Sequence, residues 1–229
     1  MAIEVRAAGA RFVTRAEGRT TWHAFSFGEH YDPRNVGFGN LVAHNDELLP
    51  RGTGYGEHPH RDTEIVTLVL SGGLRHRDST GHEQVIDAGE VQCISAGSGI
   101  VHSETSSSVQ PTRFVQAWVR PDEPGLEPSW AAARIPVDPG GLVTLASGDR
   151  ESGLPLNARA TSLSVALLGA GQRVALPDAP RLHVFVAAGE LLIEGRSLSD
   201  GAAARLVREG SREVAAAREG TQLLVWALP

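Results

Sequence analysis

Lysine is absent from this chain: all 21 basic residues are arginine. That excludes a Schiff-base lysine, lysine-bound pyridoxal phosphate and a phosphate-loop lysine. Cysteine occurs once, at Cys93, which excludes an internal disulfide, a Cys-x-x-Cys redox pair and a thiolate zinc cage. Its expected role is core packing. Positive charge is outnumbered, with 27 acidic residues and a formal net charge of -6, which argues against a general binder of nucleic acid or anionic membrane. No apolar run approaches a membrane span; the longest, such as 65–70 and 182–188, have strand length. Residues 1–13 carry Glu4, Arg6 and Arg11 and no apolar run, so no signal peptide is expected and a reducing, cytoplasmic location is.

What is present suffices for a sizeable core. The 229 residues are 41% hydrophobic and 21% charged, which excludes wholesale disorder and allows one large domain or two small ones. Gly 26 and Pro 13 supply many turns. Short β-rich runs at 64–70, 84–86, 91–94 and 114–120, with a more polar one at 74–77, alternate with turns at 71–73, 78–81, 87–89 and 96–99. A Pro- and Gly-rich stretch over 121–141 separates them from a second series at 163–168, 173–176, 182–187, 191–194, 203–207, 213–216 and 222–227. Val66 to Gly72 has an echo in Val184 to Gly189, and 87–89 has one in 199–201. The pattern predicts an all-β protein of two weakly similar barrels with few short helices, divided as 1–125 and 126–229. The Ala-rich segment 213–218 stays open between helix and strand.

Two spacings carry chemistry: His58-Pro59-His60, and His102-Ser103-Glu104. Residues i and i+2 of a strand face the same side, ~6–7 Å apart along the backbone. Two imidazoles so placed can converge on one ion, and a second strand presenting His and Glu would complete three nitrogens and one oxygen. Such a set suits iron, copper, nickel, manganese or zinc and leaves two positions of an octahedron open. The spacing alone is weak, because nine histidines in 229 residues give about one chance His-x-His pair in every three such chains. Two solvated or hydrogen-bonded pairs are the competing reading.

Context sharpens the choice. Gly52-x5-His58-x-His60-x3-Glu64 resembles the first motif of the cupin superfamily. Gly89-Glu-Val-Gln92 through Ser95-Ala-Gly97-Ser-Gly99-Ile-Val-His102-Ser-Glu104 resembles the second motif as pirin proteins carry it. The strings His58-Pro-His-Arg-Asp-Thr-Glu64, Phe25-Ser-Phe27, Tyr31-Asp-Pro33, Phe38-Gly39, Asn45-Asp46 and Phe114-Val-Gln116-Ala-Trp118 are also similar to pirins, with dense identity over about 19–121. The resemblance implies a bicupin. Residues 1–125 would form a metal-binding barrel whose ligands match His58, His60, His102 and Glu104. Residues 126–229 would form a degenerate barrel without metal ligands, since His183 is the sole His after His102. It also implies one divalent transition metal ion, iron first, with Cu, Ni, Mn, Co or Zn also suited.

The implied activity is a quercetin 2,3-dioxygenase-type oxidative ring opening of a flavonol, with Glu104 as a ligand that also takes the substrate hydroxyl proton. Its partners would be a small aromatic substrate and dioxygen, acting on a monomer without nucleic acid or membrane. The alternative implied by the same family is a non-enzymatic, metal-binding pirin that regulates through protein–protein contacts. Glu64 occupies a slot that other cupins use for a ligand and pirins do not; it is expected to orient a ligand imidazole or pair with Arg61. Gln116 and Trp118 are expected near the pocket, with cross-strand packing an equal reading for Trp118. Surface or capping roles are expected for His23, His30, His44, His76, His82 and His183. His44, Thr63 and Cys93 depart from the family pattern and bear on pocket shape. The glycine clusters at 52–56 and 169–171 complete no dinucleotide fingerprint.

Overall fold

Runs of Val, Ile and Leu bounded by glycine turns form antiparallel strands throughout the computed structural model, which describes residues 2–229. Among the described residues the helical content is one 3-10 turn, Ala8–Ala10. Segment 213–216, left open by its composition, is a strand because it pairs on both sides, with Arg173–Ala175 and Glu190–Ile193. The chain is all β and forms a bicupin.

The first barrel comprises residues 12–135 and 154–159. One sheet runs Ser129–Arg134, Glu90–Ser95, Glu64–Ser71, Thr112–Val119, Leu41–Leu49, Arg19–His23, Phe12–Ala16. The other runs Gly54–His60, Ile100–Ser106, Gly73–Asp78, Glu83–Asp87. The two sheets share a core. Leu49, Val69 and Phe114 of the first pack with Leu74 and Ile86 of the second, and Ile65 and Ile94 pack with Ile100. Between those apolar layers the first sheet carries a polar row. The ladder sets Gln92 beside Thr67, Thr67 beside Gln116, Gln116 beside Asn45 and Asn45 beside His23. All five are buried. Buried polar atoms need partners, and this row prepares the partners of the site.

The second barrel comprises residues 2–11, 136–153 and 160–229. Its sheets are built around Arg181–Ala188 and Glu190–Ile193, over an aliphatic core that includes Leu168, Val184, Val186, Leu191, Leu206, Leu223 and Val225. The echo between Val66–Gly72 and Val184–Gly189 has a structural counterpart. Glu64–Ser71 and Arg181–Ala188 each lie inside their sheet, and each is followed by a left-handed glycine, Gly72 (φ 77) and Gly189 (φ 82). Each glycine backs onto a threonine, Thr112 or Thr221, where a Cβ would collide.

The divide by packing does not follow the expected 125/126 boundary. Ser129–Arg134 extends the first barrel through Glu90–Ser95, whereas Ala2–Arg6 extends the second through Ala203–Val207. Ladder pairing, which is non-local, decides where an edge strand belongs.

Candidate metal centre

Strand register assembles the site. In Ile100–Ser106, His102 and Glu104 point to the same face. Across one edge His102 lies opposite His58 and Ile100 opposite His60; across the other, Glu104 lies opposite His76. The ladder slips between His102 and Glu104, so that Gly56 and Glu57 bulge against Ser103 alone. The bulge turns the Gly56 carbonyl toward His58, whose Nδ1 donates to it at 2.7 Å. That bond leaves the His58 Nε2 lone pair available to the interior. Gly54 allows the two strands to approach, since a Cβ there would run into the Glu104 carbonyl oxygen.

One ring nitrogen from each of His58, His60 and His102 lies within 4.8 Å of the other two. The ring centroids are 4.4 to 5.0 Å apart. His60 Nε2 and both nitrogens of His102 are buried with no hydrogen-bond partner. Burial, reinforced by repulsion from His102 and His58, lowers the His60 pKa to about 4. Burial and repulsion from His58 and His76 lower that of His102 to about 3. Both rings are therefore neutral at physiological pH and offer lone pairs. Orphaned buried nitrogens cost about 1–3 kcal/mol each, and a transition ion that prefers nitrogen and oxygen donors removes that cost. The donor set fits a divalent metal.

Glu104 is 1% exposed and held at both oxygens. Gln92 Nε2 donates to Oε1 at 3.0 Å and Gln116 Nε2 donates to Oε2 at 2.7 Å. Each glutamine is in turn fixed by a tryptophan: Trp130 Nε1 donates to Gln92 Oε1 at 2.9 Å, and Trp118 Nε1 to Gln116 Oε1 at 3.3 Å. Indole can only donate, so both amides are locked with their NH2 groups toward Glu104. The tryptophans also wall the imidazoles, Trp118 edge-on to His60 at 4.9 Å and Trp130 stacked on His76 at 5.7 Å.

Of the four residues singled out by the motifs, three converge as one group. Glu104 belongs to a second group, with His102 and His76, whose donor atoms are likewise within 4.8 Å of one another. His76 is thus no surface residue. It is fully buried, with Nε2 hydrogen-bonded at 2.9 Å to Asp78 Oδ2. The surface reading fails equally for His23, His44 and His183, each 3% exposed or less. Glu64 meets neither a proposed ligand imidazole nor Arg61. It accepts from Ser95 Oγ at 2.8 Å and from the Asn157 backbone N–H at 3.1 Å, while Arg61 lies by Asp62. Cys93 is buried, and its thiol is pushed up by burial and by the Glu64 charge, as befits packing rather than reactivity. The roles of Gln92 and Trp130 are not announced by the motifs; a lone Gln inside the apolar run Val91–Ile94 is the signal that marks one of them.

Comparison with known proteins places this geometry. The Pirin family profile matches residues 6–119. A relative from Mycobacterium tuberculosis named as a putative quercetin 2,3-dioxygenase is 44% identical, over 99% of this chain and 95% of its own. An Escherichia coli K12 relative named quercetin 2,3-dioxygenase is 37% identical over 80% of this chain and 81% of its own. The crystal structure of a bacterial pirin from Escherichia coli in complex with nickel(II) superposes with a TM-score of 0.92 at 31% identity, covering 100% of this chain and 99% of that one. With a whole-length relative at 44% identity and the nickel-bound pirin matched end to end, this chain belongs to the pirin family.

Proposed function

We propose that this protein is a metal-dependent dioxygenase that opens the heterocycle of a flavonol with both atoms of dioxygen and releases carbon monoxide, as quercetin 2,3-dioxygenases do. The observation that carries the reading is the convergence of one ring nitrogen from each of His58, His60 and His102 within 4.8 Å, with His60 Nε2 and both His102 nitrogens buried and without a hydrogen-bond partner. His58, His60, His102 and Glu104 are the proposed ligands of one divalent ion, iron in first place. Nickel is the ion in the related crystal structure. When bound, such an ion supplies Lewis acidity toward a substrate hydroxyl beside a carbonyl.

The chain's own residues supply the rest. Glu104, which faces the same interior as the imidazoles, accepts the substrate hydroxyl proton on a lone pair not taken by Gln92 or Gln116. The two Gln–Trp pairs keep that carboxylate from turning, so its basic lone pairs stay aimed. A groove of about 390 Å³ includes Thr14, Arg19, His23, Phe27 and Tyr55 in its lining. Its volume falls within the usual range for small-molecule sites. Tyr55 lies 6.1 Å from the His58 ring, and Phe27 5.1 Å from the Trp118 ring, so aromatic walls lead from the groove to the site. This groove is the proposed berth for the flavonol rings.

The test is aerobic incubation of metal-loaded protein with quercetin, following loss of its visible absorbance and release of carbon monoxide. Turnover that disappears in His58→Ala supports the enzyme. Full metal loading without turnover, together with a protein that co-purifies in a metal-dependent way, would instead favour a regulatory pirin that acts by protein contacts.

A further inference from the structure

We propose that the metal centre has a second, inner seat formed by His76 Nδ1, a ring nitrogen of His102 and a carboxylate oxygen of Glu104, and that one divalent ion can occupy either seat. The inference rests on the metal-binding reading above and extends it to a residue outside the four proposed ligands.

His76 is built as a ligand. Asp78, its side chain fully buried, accepts from His76 Nε2 at 2.9 Å. Asp78 accepts from Nε2–H, so Nδ1 is the ring nitrogen that this contact leaves for a ligand. This is the carboxylate–imidazole arrangement that backs most metal-bound histidines. Trp130 stacks on the ring with the planes 14° apart and fixes its rotation.

His76 Nδ1 is buried with no partner, and so are both nitrogens of His102. A purely structural histidine in a packed interior would have Nδ1 satisfied. Here it meets, within 4.8 Å, a nitrogen of His102 and an oxygen of Glu104. The strand register supplies the reason: Glu104 and His76 are directly opposed across one ladder, as His102 and His58 are across the other. Ile100–Ser106 therefore presents donors to both of its neighbours, with His102 common to both groups. Sharing His102 brings the seats close enough that two dications would repel, so one ion at a time is expected.

The experiment is nickel(II) binding by equilibrium dialysis with elemental analysis, on the full chain. The variants are His58→Ala/His60→Ala, and that pair combined with His76→Gln, which keeps an N–H for Asp78. Parent protein should bind about one nickel, and the outer-seat double variant should still bind about one, 10–1,000-fold more weakly. His76→Gln should remove that residual binding. In zinc-loaded double variant, the His76 Nδ1 nitrogen resonance should move off its bare-nitrogen position, a readout that does not depend on the triple variant folding. A double variant that binds no nickel while the parent does, or residual binding indifferent to His76→Gln, would overturn the inner seat alone. A parent that binds no metal would overturn the metal centre as a whole.

Discussion

Glu104→Gln preserves shape and changes one acceptor oxygen into a donor, and the surroundings are built to resist that change. In the parent, the amide NH2 of Gln92 and that of Gln116 both point at the Glu104 carboxylate. Whichever way the new amide turns, its NH2 meets another NH2. Gln92 cannot reverse without facing its own NH2 to the Trp130 N–H, 2.9 Å away. Gln116 can yield more readily, because its bond from Trp118 is longer at 3.3 Å. One charge-assisted bond is lost and one buried donor is left without an acceptor. At about 1.5–3 and 1–3 kcal/mol respectively, partly relieved at the Gln116 end, the metal-free variant should lose about 2–4 kcal/mol. Urea unfolding of metal-free protein at neutral pH, with an unchanged m-value, reads this directly. Adding Gln92→Glu restores an acceptor that can serve both the new amide at position 104 and the Trp130 N–H, so the double-mutant cycle should return a favourable coupling of about 1–2 kcal/mol. A metal-free Glu104→Gln protein within about 0.5 kcal/mol of the parent would refute the locked-amide account.

Other consequences follow from single positions. Gly54→Ala puts a methyl group against the Glu104 carbonyl oxygen, so the two strands must part. Differential scanning calorimetry should show a loss of about 2–4 kcal/mol, and the metal should be held more weakly. Glu47 is buried with Thr21 and Tyr55 donating to it at 2.6 and 2.8 Å, and burial raises its pKa from 4.5 to about 7. The folded state thus holds that proton more tightly than the unfolded chain. Its contribution is full below about pH 4.5 and is lost as pH rises through about 7. Glu47→Gln should gain stability relative to the parent by about 3 kcal/mol between pH 4.5 and 8 in denaturant titrations; a pH-independent difference would contradict this. Arg113 clamps buried Asp46 through Nε at 2.9 Å and Nη2 at 3.0 Å. Arg113→Met should cost about 3–5 kcal/mol at neutral pH in the same titrations, and a loss below about 1 kcal/mol would count against it.

Legibility in the sequence followed the range of the interactions. His58, His60, His102 and Glu104 could be read because period-two spacing on a strand is local, and because the motif strings resemble one family over about a hundred residues. The central strands could be read because runs such as 64–70 are apolar on both faces. Of the polar row, Gln116 is expected near the pocket, but Gln92, Thr67, Asn45 and His23 are not, since an isolated polar residue in a strand normally marks the outer face. Here that rule inverts, because the row lies inside the barrel and two of its members serve Glu104. His76 was hidden for the same reason: between Arg75 and Arg77 it looks solvent-facing, whereas alternation puts the arginines outside and the imidazole within. The first and last strands of the first barrel are hard to read because Phe12–Ala16 and Ser129–Arg134 have little apolar signal; the first is held in a hairpin with Arg19–His23, the last by Glu90–Ser95, far away in sequence.

Nickel stoichiometry of the parent against His102→Ala tests the convergence of the imidazoles most directly, because His102 belongs to both donor groups. Dialysis against nickel followed by elemental analysis should find about one ion per parent chain and almost none in the variant, with both proteins retaining their β-sheet circular dichroism. A parent chain that stays metal-free, or a His102→Ala protein that binds as much nickel as the parent, would contradict the account at its base.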